Sequence, residues 1–180
     1  DTIKEVLEIA NGRKILYISD IRLSNDDMYE KEKLIHDDLQ KQQKWGVMMG
    51  ADFMLLKFRL FFYKDDPENY IDFIDNSFVD EIANNVIYTK DNAKHNSKSL
   101  WLLYLKGKIY TQIYAGTRST ETRLFVKKIK YHKNHDKYSD DEQNKYKMMY
   151  YNNITYDQLL NYFNLHLNHY YIYNYILVIF

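Results

Sequence analysis

The strongest constraint on the fold is a pair of apolar runs set one crossover helix apart. Residues 14–20 read KILYISD and residues 51–60 read ADFMLLKFRL. Continuous apolar runs of this length suit parallel strands buried on both faces, because no solvent face imposes alternation on them. The first run is expected to be such a central strand. Between the two runs, residues 24–27 (SNDD) supply helix caps. The charged segment that follows sets Leu34, Ile35, Leu39 and Gln42 on one stripe before Gly46. That stripe predicts an amphipathic helix. Strand, amphipathic helix, strand is a right-handed βαβ crossover, the unit of a doubly wound α/β sheet.

The rest of the chain reads around that unit. Residues 1–11 predict a helix with Ile3, Val6, Leu7 and Ala10 on one face and Gly12 just past its end. Residues 65–69 (DDPEN) are a loop holding the single proline. A short helix is expected around residues 78–83, and a polar loop over residues 91–99. Residues 100–114 read as strand, with Gly107 as a turn or bulge. Residues 123–131 alternate and read as a further strand, able to form an antiparallel hairpin with 100–114 at the end of the sheet. Residues 132–147 are charge-rich, and residues 156–176 read as helical. The expected division is an α/β domain over 1–131, with 132–180 as a charged segment and Tyr-rich helical tail packing on it.

Composition narrows the chemistry. A chain of 180 residues can hold one domain with a real core. Lys+Arg 25 balances Asp+Glu 25, so nucleic acid would need a local basic patch rather than a global field. Cysteine is absent, which removes disulfides, thiolate metal sites and cysteine nucleophiles. The 19 tyrosines accompany abundant Asn, Ile and Lys, a signature of AT-rich codons rather than of function. Residues 170–180 are apolar but only about half of the ~20 residues that a membrane span needs, so a core element is expected there and no membrane. The opening DTIKEVLEIA lacks the pattern of a signal peptide. His132/His135 and His166/His169 share an HxxH spacing without further zinc ligands, and no metal is expected. Lys127, Lys128, Lys130, His132 and Lys133 form the most basic run, either a solvated face or an RNA-facing stripe. The sequence holds no P-loop and no nucleophile elbow.

Ligands of open α/β sheets bind at the carboxyl ends of the strands. Asp20 closes the first run, Lys57 lies near the end of the second, and Glu121 precedes the strand over 123–131. Taken singly, they read as a turn residue, a snorkelling lysine and a capping residue. Taken together, three charged groups at three strand ends can meet in one cleft.

The segments ILYISDIR, LLKFRLFF and YAGTRSTETRL, in this order and spacing, resemble matching segments of the poxvirus-type cap-specific mRNA 2′-O-methyltransferases of large DNA viruses. Members of that family double as the regulatory subunit of the viral poly(A) polymerase. The resemblance covers residues 13–130 and, more loosely, the tail, while residues 65–99 read as a divergent insertion. It implies a Rossmann-like methyltransferase fold, S-adenosylmethionine as cofactor and a Lys-Asp-Lys-Glu tetrad. Asp20, Lys57 and Glu121 match its last three members. The implied reaction is an in-line attack of a ribose 2′-hydroxyl on the sulfonium methyl, with Lys57 as base and the carboxylates orienting it; no metal is required. Arg22, Ser119 and Arg123 match positions near the RNA backbone, and Arg59 joins them as a substrate-binding candidate. Phe62 matches one of two aromatics that sandwich the methylated guanine. Arg118 stands at the other, with Tyr63 or Tyr114 as nearby substitutes.

The family's glycine-rich cofactor turn and first tetrad lysine have no counterpart here. The resemblance therefore implies the C-terminal half of the domain, a fragment or one chain of a split enzyme, with an unpaired strand edge. Its implied partners are capped mRNA, a poly(A) polymerase catalytic subunit and the companion half. Its implied place is the cytoplasm, in a viral factory or virion. Two alternatives stand beside this expectation: an RNA-binding processivity subunit without catalysis, and an α/β domain with chance matches.

Overall fold

A computed structural model describes residues 2–23, 26–60, 77–87, 101–111, 121–129 and 144–162. Helix α1 (Thr2–Ala10) stops where Asn11 and Gly12 turn to φ of 44° and 76°. That left-handed turn costs glycine nothing and is a common helix ending. Strand β1 (Leu16–Ser19) follows. Helix α2 (Met28–Met48) begins at Asp27, whose carboxylate accepts the Glu30 N–H at 2.9 Å, and so satisfies one of the orphan donors of the first turn. Gly50, at φ 61°, reverses the chain into β2 (Phe53–Phe58). β1 and β2 pair in parallel from Leu16↔Phe53 to Ser19↔Leu56, so the expected strand–helix–strand unit is present.

The chain continues through α3 (Ser77–Ile82), a 3₁₀ turn (Ala83–Asn85), β3 (Val86–Ile87) and β4 (Trp101–Leu105). Then come β5 (Gly107–Thr111), β6 (Thr122–Lys127), β7 (Tyr146–Asn152) and α4 (Asn153–Tyr162). The result is an α/β fold with mixed sheets and, among the described residues, four α-helices. One sheet has the order β1-β2-β6-β5 and the other β3-β7-β4. β6 runs antiparallel to β2 and to β5, so the expected hairpin does close the sheet.

The turn or bulge expected at Gly107 is a break between strands of different sheets: the chain leaves the second sheet at Leu105 and enters the first at Gly107. The hydroxyl of Tyr151 fixes that crossing, donating to Leu105 O at 3.0 Å and accepting from Gly107 N at 3.1 Å. Residues 14–20 do not form a central strand buried on both faces. β1 ends its sheet among the described residues, with Leu16 and Ile18 59% and 62% exposed. Finally β7, which falls in a stretch that local pattern leaves unassigned, is the middle strand of the second sheet. Helix α4 covers the start of the expected tail helix; residues 163–180 lie outside the described set.

α2 organises the core. Ile35, Leu39 and Val47 are buried against Met54, Leu56 and Phe58 of β2 and Leu124 and Val126 of β6. A Cβ on Gly46 would meet Met54 Sδ at 2.6 Å, so glycine lets the helix lie close on the sheet. Phe58 is ringed by Tyr104, Tyr151 and Tyr156, with centroids at 5.6, 5.4 and 5.8 Å. Burying each such side chain contributes about 1.5–3 kcal/mol, and the edge-on rings add specificity. No described helix is long and apolar enough to cross a membrane.

Candidate active site

The strand ends bring the charged residues together for a topological reason. β1 and β2 are parallel, so their carboxyl ends share one edge. β6 is antiparallel, so its amino end reaches that same edge. Lys57 pairs with Arg123 and Phe58 with Thr122 in the β2–β6 register. Asp20 directly follows β1, and Glu121 directly precedes β6.

Their head groups converge. Lys57 Nζ lies 3.3 Å from Asp20 Oδ1 and 3.2 Å from Glu121 Oε2. Asp20 Oδ1 also accepts Arg123 Nη2 at 3.0 Å. Arg22 Nε stands 3.6 Å from Glu121 Oε1, an ion-pair distance too long for a hydrogen bond. The sequence Arg22, Glu121, Lys57, Asp20, Arg123 is thus a chain of alternating charge with three cations and two carboxylates. The Lys57 side chain is 14% exposed and that of Asp20 63%, so the site is a cleft with a buried floor and an open lip.

Side-chain bonds to the backbone hold that floor. Gln42 of α2 donates from Nε2 to Lys57 O at 2.7 Å. Phe58 O accepts the Thr122 hydroxyl at 2.9 Å and the Tyr156 hydroxyl at 3.4 Å. Asp38 accepts the Leu23 N–H at 2.7 Å and so fixes the segment that carries Arg22. Glu32, 1% exposed, pairs with Arg59 at the floor of the cleft. Arg59 is thereby drawn towards α2.

Arg22 is the most telling member. All three guanidinium nitrogens are buried and, among the described residues, meet no partner at full hydrogen-bond distance, Glu121 standing at ion-pair range. Burial pushes its pKa down; Glu121 counters, nearby Arg59 pushes the same way as burial, and Asp38 counters again. A buried guanidinium without its hydrogen bonds is costly. Behind it, burial raises the Asp157 carboxyl to about 6, against the pull of Arg59 and with the push of Glu32.

The structure therefore gathers Asp20, Lys57, Glu121, Arg22 and Arg123, with Arg59 beneath them. Phe62, Tyr63, Tyr114, Arg118 and Ser119 lie outside the described residues. Sequence reasoning places Gln42 on the buried stripe without giving it a role, and misses Glu32 and Asp38 as supports of the site. On a charged helix those two acids look like a solvated face; only their nearness to the stripe of Ile35 and Leu39 signals burial.

S-adenosylmethionine needs a cradle where backbone can approach the nucleoside, and glycine turns at strand ends supply one. Gly12 precedes β1, at the opposite end of the strand from the cleft. Gly46 is packed against Met54 and Tyr17, and Gly107 against Phe125 O. Gly50 ends α2. These residues do not fit the nucleoside part of the cofactor. Among the described residues no group of three or more His, Asp or Glu is placed to hold a metal ion. No protein-family model matches the chain, and no curated protein sequence matches it.

Proposed function

We propose that the Lys57 cluster is the acceptor side of an RNA 2′-O-methylation site, acting on the first transcribed nucleotide of capped mRNA. The observation that carries this reading is the convergence of one lysine and two carboxylates from three strand ends, flanked by two arginines. The fold reading that goes with it is the C-terminal half of a Rossmann-like methyltransferase sheet, supported by the parallel β1–β2 crossover with an antiparallel end hairpin.

In this reading Arg123 binds a phosphate beside the target ribose, and Arg22 holds Glu121 from within the floor. Lys57 Nζ faces the 2′-hydroxyl; once its ammonium has lost a proton to solvent, the free amine accepts the hydroxyl proton as the oxygen attacks the methyl group. The ammonium so formed is neutralised by Asp20 and Glu121, which also fix the amine in place. The methyl donor would be S-adenosylmethionine, held mainly by residues other than those described, in a companion segment or chain.

The test is methyl transfer to capped RNA with an unmethylated first nucleotide, assayed in the native assembly that contains this chain. Lys57→Ala should lower the rate by roughly 10²–10⁴-fold, the usual worth of a positioned proton-transfer group. Activity that survives this substitution would sink the assignment. Stimulation of a poly(A) polymerase by the same inactive variant would instead favour the role of an RNA-binding regulatory subunit.

A further inference from the structure

β1 ends the first sheet, and among the described residues nothing pairs with its outer edge. The parallel ladder with β2 fixes what that edge offers. Ile15 O accepts Phe53 N–H at 3.2 Å, and Ile15 N–H donates to Asp52 Oδ2 at 2.9 Å, so the backbone of Ile15 faces β2. Backbone groups alternate sides along a strand. Tyr17 therefore also bonds towards β2, while the N–H and C=O of Leu16 and Ile18 point outward. Edge strands are commonly blunted by a proline, a bulge or a charge within the strand. Leu16–Ser19 (LYIS) has neither proline nor charge, and its pairing with β2 is continuous. It carries exposed Leu16 and Ile18 on the open face of the sheet, away from α2. Its charges stand just outside, Lys14 before the strand and Asp20 after it, both exposed.

This edge is complementary to itself. Antiparallel pairing with a second β1 about Tyr17 sets residue 16 opposite residue 18 and residue 14 opposite residue 20, in both directions. Leu16 then meets Ile18, and Lys14 meets Asp20, each of them twice. The backbone agrees, because the outward-pointing residues are the ones that exchange hydrogen bonds in this register. A slip of one residue would turn outward groups against residues already bonded to β2. A slip of two would set a charge against an apolar side chain, Lys14 against Ile18 or Asp20 against Leu16.

We propose that two copies of this chain pair along β1, antiparallel about a two-fold axis at Tyr17, and join their four-stranded sheets into one. The charge complementarity of residues 14 and 20 selects a second copy as the occupant, and the symmetry delivers each contact twice. Lys14 of the second copy then stands beside Asp20, which is 63% exposed and has room for it at the lip of the Lys57 cleft. Each copy thereby adds a cation to the charge chain of the other. The edge is short against the ~800 Å² per partner of a standard interface, so the dimer is weak, with dissociation in the range of roughly 1–100 μM. The pairing does not rest on the methyl-transfer reading.

The experiment is analytical ultracentrifugation of the full chain across that concentration range, where a monomer–dimer equilibrium is expected. Lys14→Asp and Asp20→Lys each set like charges opposite one another twice and should weaken self-association at least tenfold. Mixed one to one, the two variants should form a heterodimer of parent-like affinity, because both charged pairs are restored in it. Crosslinking reads the register. The chain has no cysteine, so Leu16→Cys chains mixed with Ile18→Cys chains and oxidised should give a disulfide dimer, while each variant alone should not. Opposed residues lie ~5.5 Å apart at Cα, within disulfide reach, and residue 16 lies too far from its own copy. Both side chains are exposed, so this arm stands even if Asp20→Lys fails to fold, which circular dichroism checks. A chain that stays monomeric throughout would overturn the proposal. So would a dimer indifferent to the charge substitutions, a mixture of folded charge variants that does not associate, or cysteine variants that crosslink with themselves as readily as with each other.

Discussion

The carboxylate of Glu32 offers the sharpest test of how the cleft is supported. It is 1% exposed, and its partner Arg59 is 12% exposed. Two charges withdrawn from water to this degree are held by each other, and removing one strands the other. Among the described residues Arg59 Nε already lacks a hydrogen bond, and Arg22 lies near enough to feel its charge. Glu32→Leu should therefore cost about 3–5 kcal/mol, the usual penalty for breaking a buried pair. With about 2 kcal/mol per molar urea, that is a fall of roughly 1.5–2.5 M in the unfolding midpoint. Glu32→Leu/Arg59→Met should recover most of the loss, because a well-packed apolar pair avoids desolvation on both sides. Urea unfolding followed by tyrosine fluorescence and circular dichroism reads both. A single variant that costs less than ~1 kcal/mol, or a double variant no better than the single one, would refute the view that this pair carries the floor.

Gly107→Ala should destabilise by roughly 1–3 kcal/mol, since the new Cβ would lie 2.5 Å from Phe125 O, a backbone atom that cannot step aside; an unfolding midpoint unchanged from the parent would contradict it. Asp157 gives a pH test. Its folded pKa, raised to about 6, exceeds that of the unfolded chain, so the native state holds the proton more tightly and stability falls as pH rises from about 4 to 6. Two units would be about 3 kcal/mol, but the carboxyl is only half-buried and screening leaves ~1 kcal/mol. Asp157→Asn should thus stabilise at pH 7 and have no effect near pH 3.5; an equal gain at both would show that the cause is not desolvation of the charge.

Much of this architecture is legible in the sequence, and the parts that are not share a cause. The β1–α2–β2 unit can be read because its apolar runs and its helical stripe are local patterns. Gly107 marks the break between β4 and β5, but the change of sheet there cannot be read, because Tyr151, more than forty residues away, fixes it. The exposure of Leu16 and Ile18 also escapes local reading, since a strand at a sheet's end and one at its centre can carry the same residues. At the site, Asp20, Lys57 and Glu121 are legible as strand-end charges, and topology alone brings them together. The basic run divides in a way no spacing foretells. Lys127 lies on the open face, while Lys128 turns back to Gly50 O at 3.2 Å and over the Tyr146 ring.

The antiparallel docking of β6 on β2 has a consequence for the order of folding. β1, α2 and β2 are consecutive and can form as one early unit, bringing Asp20 and Lys57 into reach. Glu121 and Arg123 arrive only with β6. The bond from Thr122 to Phe58 that seats β6 spans 64 residues, and the one from Tyr156 spans 98. Contacts that remote require the loop entropy to be overcome first, so they form late. A half-folded chain would hold a lysine and one carboxylate but no closed charge chain. Completion of the cleft is in this sense a readout of completed folding, and amide protons of β6 should exchange no slower than those of β2.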